Sequence, residues 1–104
     1  MVRVKSALGT GRMYPKPSCS CPNWLYHWEV NKSVKLAAWC RCCGKNVPHN
    51  RLNGGHVQKV PVNSASIYYI VPLCDECNAK DGIEFEVREA DMILANGRYC
   101  RLKK

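Results

Sequence analysis

Apolar positions in this chain of 104 residues change period several times, and no stretch holds one period for long. Trp24, His27 and Trp28 share one face at spacings i, i+3 and i+4, which predicts a short helix entered through Pro22 and Asn23. Two tryptophans on one face need cover, so this helix is expected to dock on the rest of the domain. Leu36–Trp39 reads as a strand running into Cys40. From Asn46 to Val60 the pattern suggests a hairpin, with Asn53-Gly54-Gly55 as turn or bulge and His56–Val60 as the alternating return strand. Ser66–Val71 is the clearest buried strand, ended by Pro72. A short helix follows through about Lys80, with Asp75 and Glu76 suited to its first turn. Glu84–Arg88 alternates like another strand. Asn96-Gly97, between Met92–Ala95 and Arg98–Leu102, predicts a type I′ hairpin. Residues 1–18, with Gly9, Gly11, Pro15 and Pro17, read as a flexible basic arm, which leaves 19–104 as a single domain.

A domain of this size buries only about two-thirds of the surface its unfolded chain exposes. With one Phe, five Tyr and three Trp, the core needs a further source of stability. The eight cysteines supply a candidate. Cys40-x2-Cys43 and Cys74-x2-Cys77 can close a tetrahedral thiolate cage around one zinc ion, and Gly44 is free to take the positive φ of a zinc knuckle. Cys42 is an adjacent rival with the poorer spacing. Disulfides and a redox dithiol are the other readings of such pairs. Met1–Leu8 lacks the apolar stretch of a secretory signal and no segment is long enough to span a membrane, so a cytoplasmic, reducing setting is expected and metal ligation is favoured. A second zinc set is offered by Cys19-x-Cys21, His27 and Cys100, which would close both termini onto the core. The alternative is that Cys19 and Cys100 are free thiols and His27 packs between the tryptophans.

Charge narrows the function. The formal net charge is +8, and residues 1–73 carry ten Lys or Arg against one acid, Glu29. This basic portion suits nucleic acid, DNA or RNA, with Arg41, Lys45, Arg51 and Lys59 as candidate phosphate contacts; a solubilising surface is the plainer reading. A protein partner anchored on Trp24 or Trp28 is a third possibility.

Knuckle, hairpin, strand and a helix donating the last two ligands together describe a small, zinc-stabilised α+β domain. Its type is a treble clef, or ββα-metal-like finger, with an N-terminal helix and a C-terminal β-hairpin. The ordered set Cys40-x2-Cys43, Gly55-His56-Val57 and Ile70-Val71-Pro72-Leu73-Cys74-x2-Cys77-Asn78 resembles the His-Me-finger (HNH) nuclease superfamily. Leu73 to Gly82 is most similar to the phage recombination endonuclease VII branch, and the whole resembles a set of short bacterial zinc proteins with a Trp helix upstream. The resemblance implies His56 as general base and Asn78 as ligand to a second divalent ion, Mg²⁺ or Mn²⁺, on the scissile phosphate. Structural roles for both side chains stand beside these. Gly55 occupies the place of the usual metal ligand before the histidine and carries no donor atom, with His49 and Asn50 as substitutes. The expectation is therefore a nucleic-acid-binding domain whose nuclease metal site has decayed, with an active endonuclease and a protein adaptor as alternatives.

Overall fold

The computed structural model describes residues 1–7, 17, 19–61, 67–80, 82–96 and 100. Five antiparallel strands form one sheet: β1 (Val2–Ser6), β2 (Leu52–Lys59), β3 (Tyr69–Cys74), β4 (Glu84–Val87) and β5 (Ile93–Leu94), in the order β4-β1-β2-β3-β5. Two helices accompany it, α1 (Trp24–Asn31) and the single turn α2 (Asp75–Asn78), with short 3-10 turns at His49–Arg51 and Glu89–Asp91. The result is a small α+β domain. Among the described residues, no helix is long and apolar enough to cross a membrane.

Helix α1 starts where expected. The Asn23 side chain accepts a hydrogen bond from the Tyr26 amide at 2.8 Å and so caps the first turn. Trp24, His27 and Trp28 are all buried against the sheet, where Val4, Val57, Ile70, Val71 and Leu73 form the solvent-free centre. Their burial removes Trp24 and Trp28 as exposed anchors for a partner; exposed apolar side chains nearby include Tyr26, Val34, Leu36 and Trp39.

Several expectations are corrected by the sheet. Val2–Ser6, read as part of an arm, is an inner strand between β4 and β2 with Val4 and Ser6 buried. The alternation Val2-Arg3-Val4-Lys5-Ser6 is strand-like, and pairing on both sides satisfies its backbone. Leu36–Trp39 is not a strand: only Trp39 pairs, in an isolated bridge to Asn46, and Leu36 is exposed. The hairpin expected within Asn46–Val60 is a single continuous strand, β2, with Gly54 and Gly55 in its interior. The reason is close approach. A Cβ on Gly54 would stand 2.5 Å from the Leu25 amide nitrogen, and one on Gly55 would stand 2.4 Å from Leu73 Cδ1. These glycines let α1 and β3 lie down on β2; they do not turn the chain.

Strand β3 also runs further than expected, through Pro72 to Cys74. Pro72 lies opposite Gly54, and its carbonyl points away from β2 to the Arg41 amide at 2.9 Å. The N–H that proline lacks is therefore not one the β2–β3 ladder uses, and β5 pairs only with Tyr69 and Ile70. Glu84–Val87 is the strand expected there, β4. Ile93–Leu94 pairs with β3, while most of the return strand expected over Arg98–Leu102 lies outside the described residues.

The two glycines give a graded test. Gly54→Ala drives a methyl into helix backbone and should cost about 1–3 kcal/mol or more, by overpacking. Gly55→Ala meets a leucine side chain rather than helix backbone and should cost less. Urea midpoints at constant m-value measure the order; equal costs would show that α1 does not rest on Gly54.

Candidate metal centres

The first centre is built by a knuckle and by α2. In the knuckle, the Gly44 amide bonds to the Cys40 carbonyl and the Cys40 amide to the Lys45 carbonyl, both at 2.9 Å. Gly44 makes the return with φ +79°, in the region that favours glycine. The Cys42 amide points at Cys40 Sγ (3.4 Å) and the Cys77 amide at Cys74 Sγ (3.5 Å), so backbone N–H groups face sulfur on both halves. The Arg41 amide on the Pro72 carbonyl ties the knuckle to β3, directly before Cys74.

These contacts bring Cys40, Cys43, Cys74 and Cys77 together with all four sulfurs within 4.8 Å of one another. A zinc tetrathiolate with Zn–S of about 2.3 Å has sulfur–sulfur edges of about 3.8 Å. Cys43 Sγ and Cys74 Sγ are 3.9 Å apart, so the donor set fits the ion. Burial pushes the Cys40 thiol up, but the surrounding backbone N–H groups outweigh it and bring its pKa down to about 7. Burial pushes Cys77 well up. Cys42 is half-buried and stands outside the tetrad.

The second centre joins Cys19, Cys21, His27 and Cys100, all buried and again within 4.8 Å of one another. Cys19 Sγ lies 3.5 Å from His27 Nδ1, and Cys21 Sγ lies 3.5 Å from Cys100 Sγ. A tetrahedral site with one imidazole and Zn–N of about 2.0–2.1 Å has sulfur–nitrogen edges of about 3.5 Å, so this set fits as well. His27 Nε2 is 3.0 Å from the Leu94 carbonyl. A carbonyl only accepts, so Nε2 carries the proton and Nδ1 turns its lone pair toward the sulfurs. Asn31, one turn after His27, donates its side-chain amide to Cys100 Sγ at 3.2 Å and to the His27 carbonyl at 2.7 Å. Sequence reading missed Asn31, although the i, i+4 spacing from His27 was available as a signal. Two clusters of four ligands can thus each hold a zinc ion.

The residues expected to act on nucleic acid are placed unevenly. Arg41 is not free at the surface: its guanidinium lies 3.6 Å from the Trp39 ring centroid and 5.0 Å from that of Trp28, with Asp91 Oδ2 at 3.4 Å. Trp28 in turn donates from Nε1 to the Asp91 carbonyl at 2.8 Å, so Arg41 belongs to a packed stack over the knuckle. Lys45 is exposed. Arg51 lies 3.6 Å from Asp75, and Lys59 lies 4.0 Å from Glu89 beside the Tyr69 ring.

His56 is 7% exposed, its ring edge-on to Trp24 at 5.0 Å and to Tyr68 at 6.2 Å between centroids. Its Nε2 has no hydrogen-bond partner among the described residues, and burial lowers its pKa to about 4. Asn78 Oδ1 is 3.1 Å from where a Gly55 Cβ would be. His49 and Asn50 precede β2 on the 3-10 turn; His49 Nε2 sits 2.8 Å from the carboxylate of Glu29. No protein-family model, curated protein or solved structure matches this chain.

Proposed function

We propose that the chain is a two-zinc domain of treble-clef type that binds nucleic acid, with zinc in a structural role at both centres. The observation that carries the zinc part is the pair of closed tetrads, four protein ligands each, which leave no position for substrate on either ion. Charge supports the binding part. A zinc centre with four thiolates carries a net −2, and one with three thiolates and an imidazole carries −1. The formal +8 relaxes to +5 with both ions in place and remains clearly basic. Lys45 and Arg51 stand exposed on the knuckle and on the 3-10 turn before β2.

The HNH resemblance keeps an endonuclease as the second reading. It is the weaker one, because the side chain it needs as base is buried beneath Trp24 and held neutral. Elemental analysis should return two zinc ions per chain. Binding of labelled DNA and RNA should weaken steeply with salt, as expected when phosphate contacts release counterions. No binding at low salt would refute the nucleic-acid reading. Cleavage with Mg²⁺ or Mn²⁺ that disappears in His56→Ala would replace binding by catalysis.

A further inference from the structure

Where α1, the turn before β2, the start of β2 and α2 meet, a cleft of about 470 Å³ opens. Sites that hold small ligands span about 300–1,000 Å³. The Glu29 carboxylate lies at its margin, 4% exposed, accepting from the Ala37 amide at 2.7 Å and bonded to His49 Nε2 at 2.8 Å. A carboxylate in this position accepts, so His49 presents Nε2–H to Glu29 and turns its Nδ1 edge away from that contact. The His49 side chain is 42% exposed, so its Nδ1 edge is within reach of a ligand.

The remaining polar groups divide by role. Asn53 is already engaged, donating to the Leu73 carbonyl at 3.3 Å and to Asp75 Oδ1 at 2.8 Å. Asn50 is exposed and Asn78 half-buried, each offering an amide donor and acceptor to the cleft. Tyr26 presents an exposed ring at the same rim. No Lys or Arg is among the described lining residues, and Glu29 adds an acid to them. A phosphate is therefore a poor occupant. A flat, neutral molecule with a hydrogen-bonding edge is a good one, and a nucleobase has that chemistry.

We propose that this cleft is a subsite for one unstacked nucleobase of a single strand. Tyr26 supplies the stacking face, and His49 Nδ1, Asn50 and Asn78 meet the base edge. Arg51, exposed on the same turn as His49, stands beside the cleft for the neighbouring phosphate. The inference rests on the nucleic-acid reading above and specifies what that surface reads.

The test uses the zinc-loaded full chain and three short single strands of equal length: oligo-dA, oligo-dT and an abasic backbone. Oligo-dA should bind about tenfold more tightly than the abasic strand, a gap set by stacking and edge contacts. That gap should persist as salt rises, since it does not arise from counterion release. Tyr26→Ala and Asn78→Ala, both at positions outside the main core, should narrow the gap. Oligo-dT should also bind more tightly than the abasic strand, since thymine stacks and carries polar edge groups too. Equal affinity for oligo-dA and the abasic strand would overturn the subsite while leaving nucleic-acid binding intact. Failure of all three strands to bind at low salt would overturn both.

Discussion

Cys77→Ser is expected to unfold the chain, whereas Cys21→Ser should remove one zinc ion and leave the sheet in place. Structural zinc contributes about 10–16 kcal/mol of apparent folding free energy in small domains, comparable to or above the 5–15 kcal/mol of net stability that domains hold. Loss of either ion would thus be severe if its surroundings depended on it alone. The two centres differ in what surrounds them. Cys40, Cys74 and Cys77 pack within the main hydrophobic core, alongside Trp28, Val71 and Leu73. Cys19, Cys21 and Cys100 form a separate buried cluster. Helix α1 keeps Trp24 and Trp28 docked on the sheet whether or not His27 holds a metal. Zinc per chain and amide dispersion in NMR spectra check both variants. A folded Cys77→Ser variant holding one zinc would show that the first centre is dispensable to the fold.

Acid should destabilise the protein through His56 well before its carboxylates protonate. The folded pKa of His56 is about 4, held down by burial, against about 6.5 in an unfolded chain. Between these values the unfolded state binds the extra proton, so stability is fully present above pH 6.5 and falls as pH drops toward 4. Across the whole window the loss is about 3 kcal/mol, and between pH 7 and 5 about 2 kcal/mol, at about 1.4 kcal/mol per pH unit. Zinc release adds its own acid sensitivity, so the quantity to read is the difference between wild type and His56→Phe under saturating zinc. The variant keeps a flat ring against Trp24 and Tyr68, removes the unpartnered Nε2, and should lose about 2 kcal/mol less between pH 7 and 5. Parallel pH profiles for the two proteins would show that His56 does not titrate as a buried group.

Both predictions begin in features visible along the chain, but not to the same degree. The four ligands of the first centre are paired at C-x2-C, a spacing that already puts two sulfurs on one ion. The second centre was readable as a set, because Cys19, Cys21 and His27 are close in sequence and Cys100 falls on the expected terminal hairpin. Helix α1 was readable from its cap and its aromatic face, since both are contained within a few residues.

What the sequence by itself determined is therefore local: the helix cap, the knuckle with its positive-φ Gly44, and the ligand types and their spacing. The tertiary structure decided everything that depends on which segments lie side by side. Gly54 and Gly55 carry a turn signal, yet they became strand interior because α1 and Leu73 come within van der Waals range of their backbone. Val2–Ser6 became an inner strand because β2 and β4 offer it hydrogen bonds from residues more than fifty positions away. His56 lost its access to solvent to Trp24, and Glu29 met His49 across twenty residues of chain to shape the cleft. Local signals follow from the conformational preferences of single residues; contacts between distant segments follow from packing, which no short window of sequence contains.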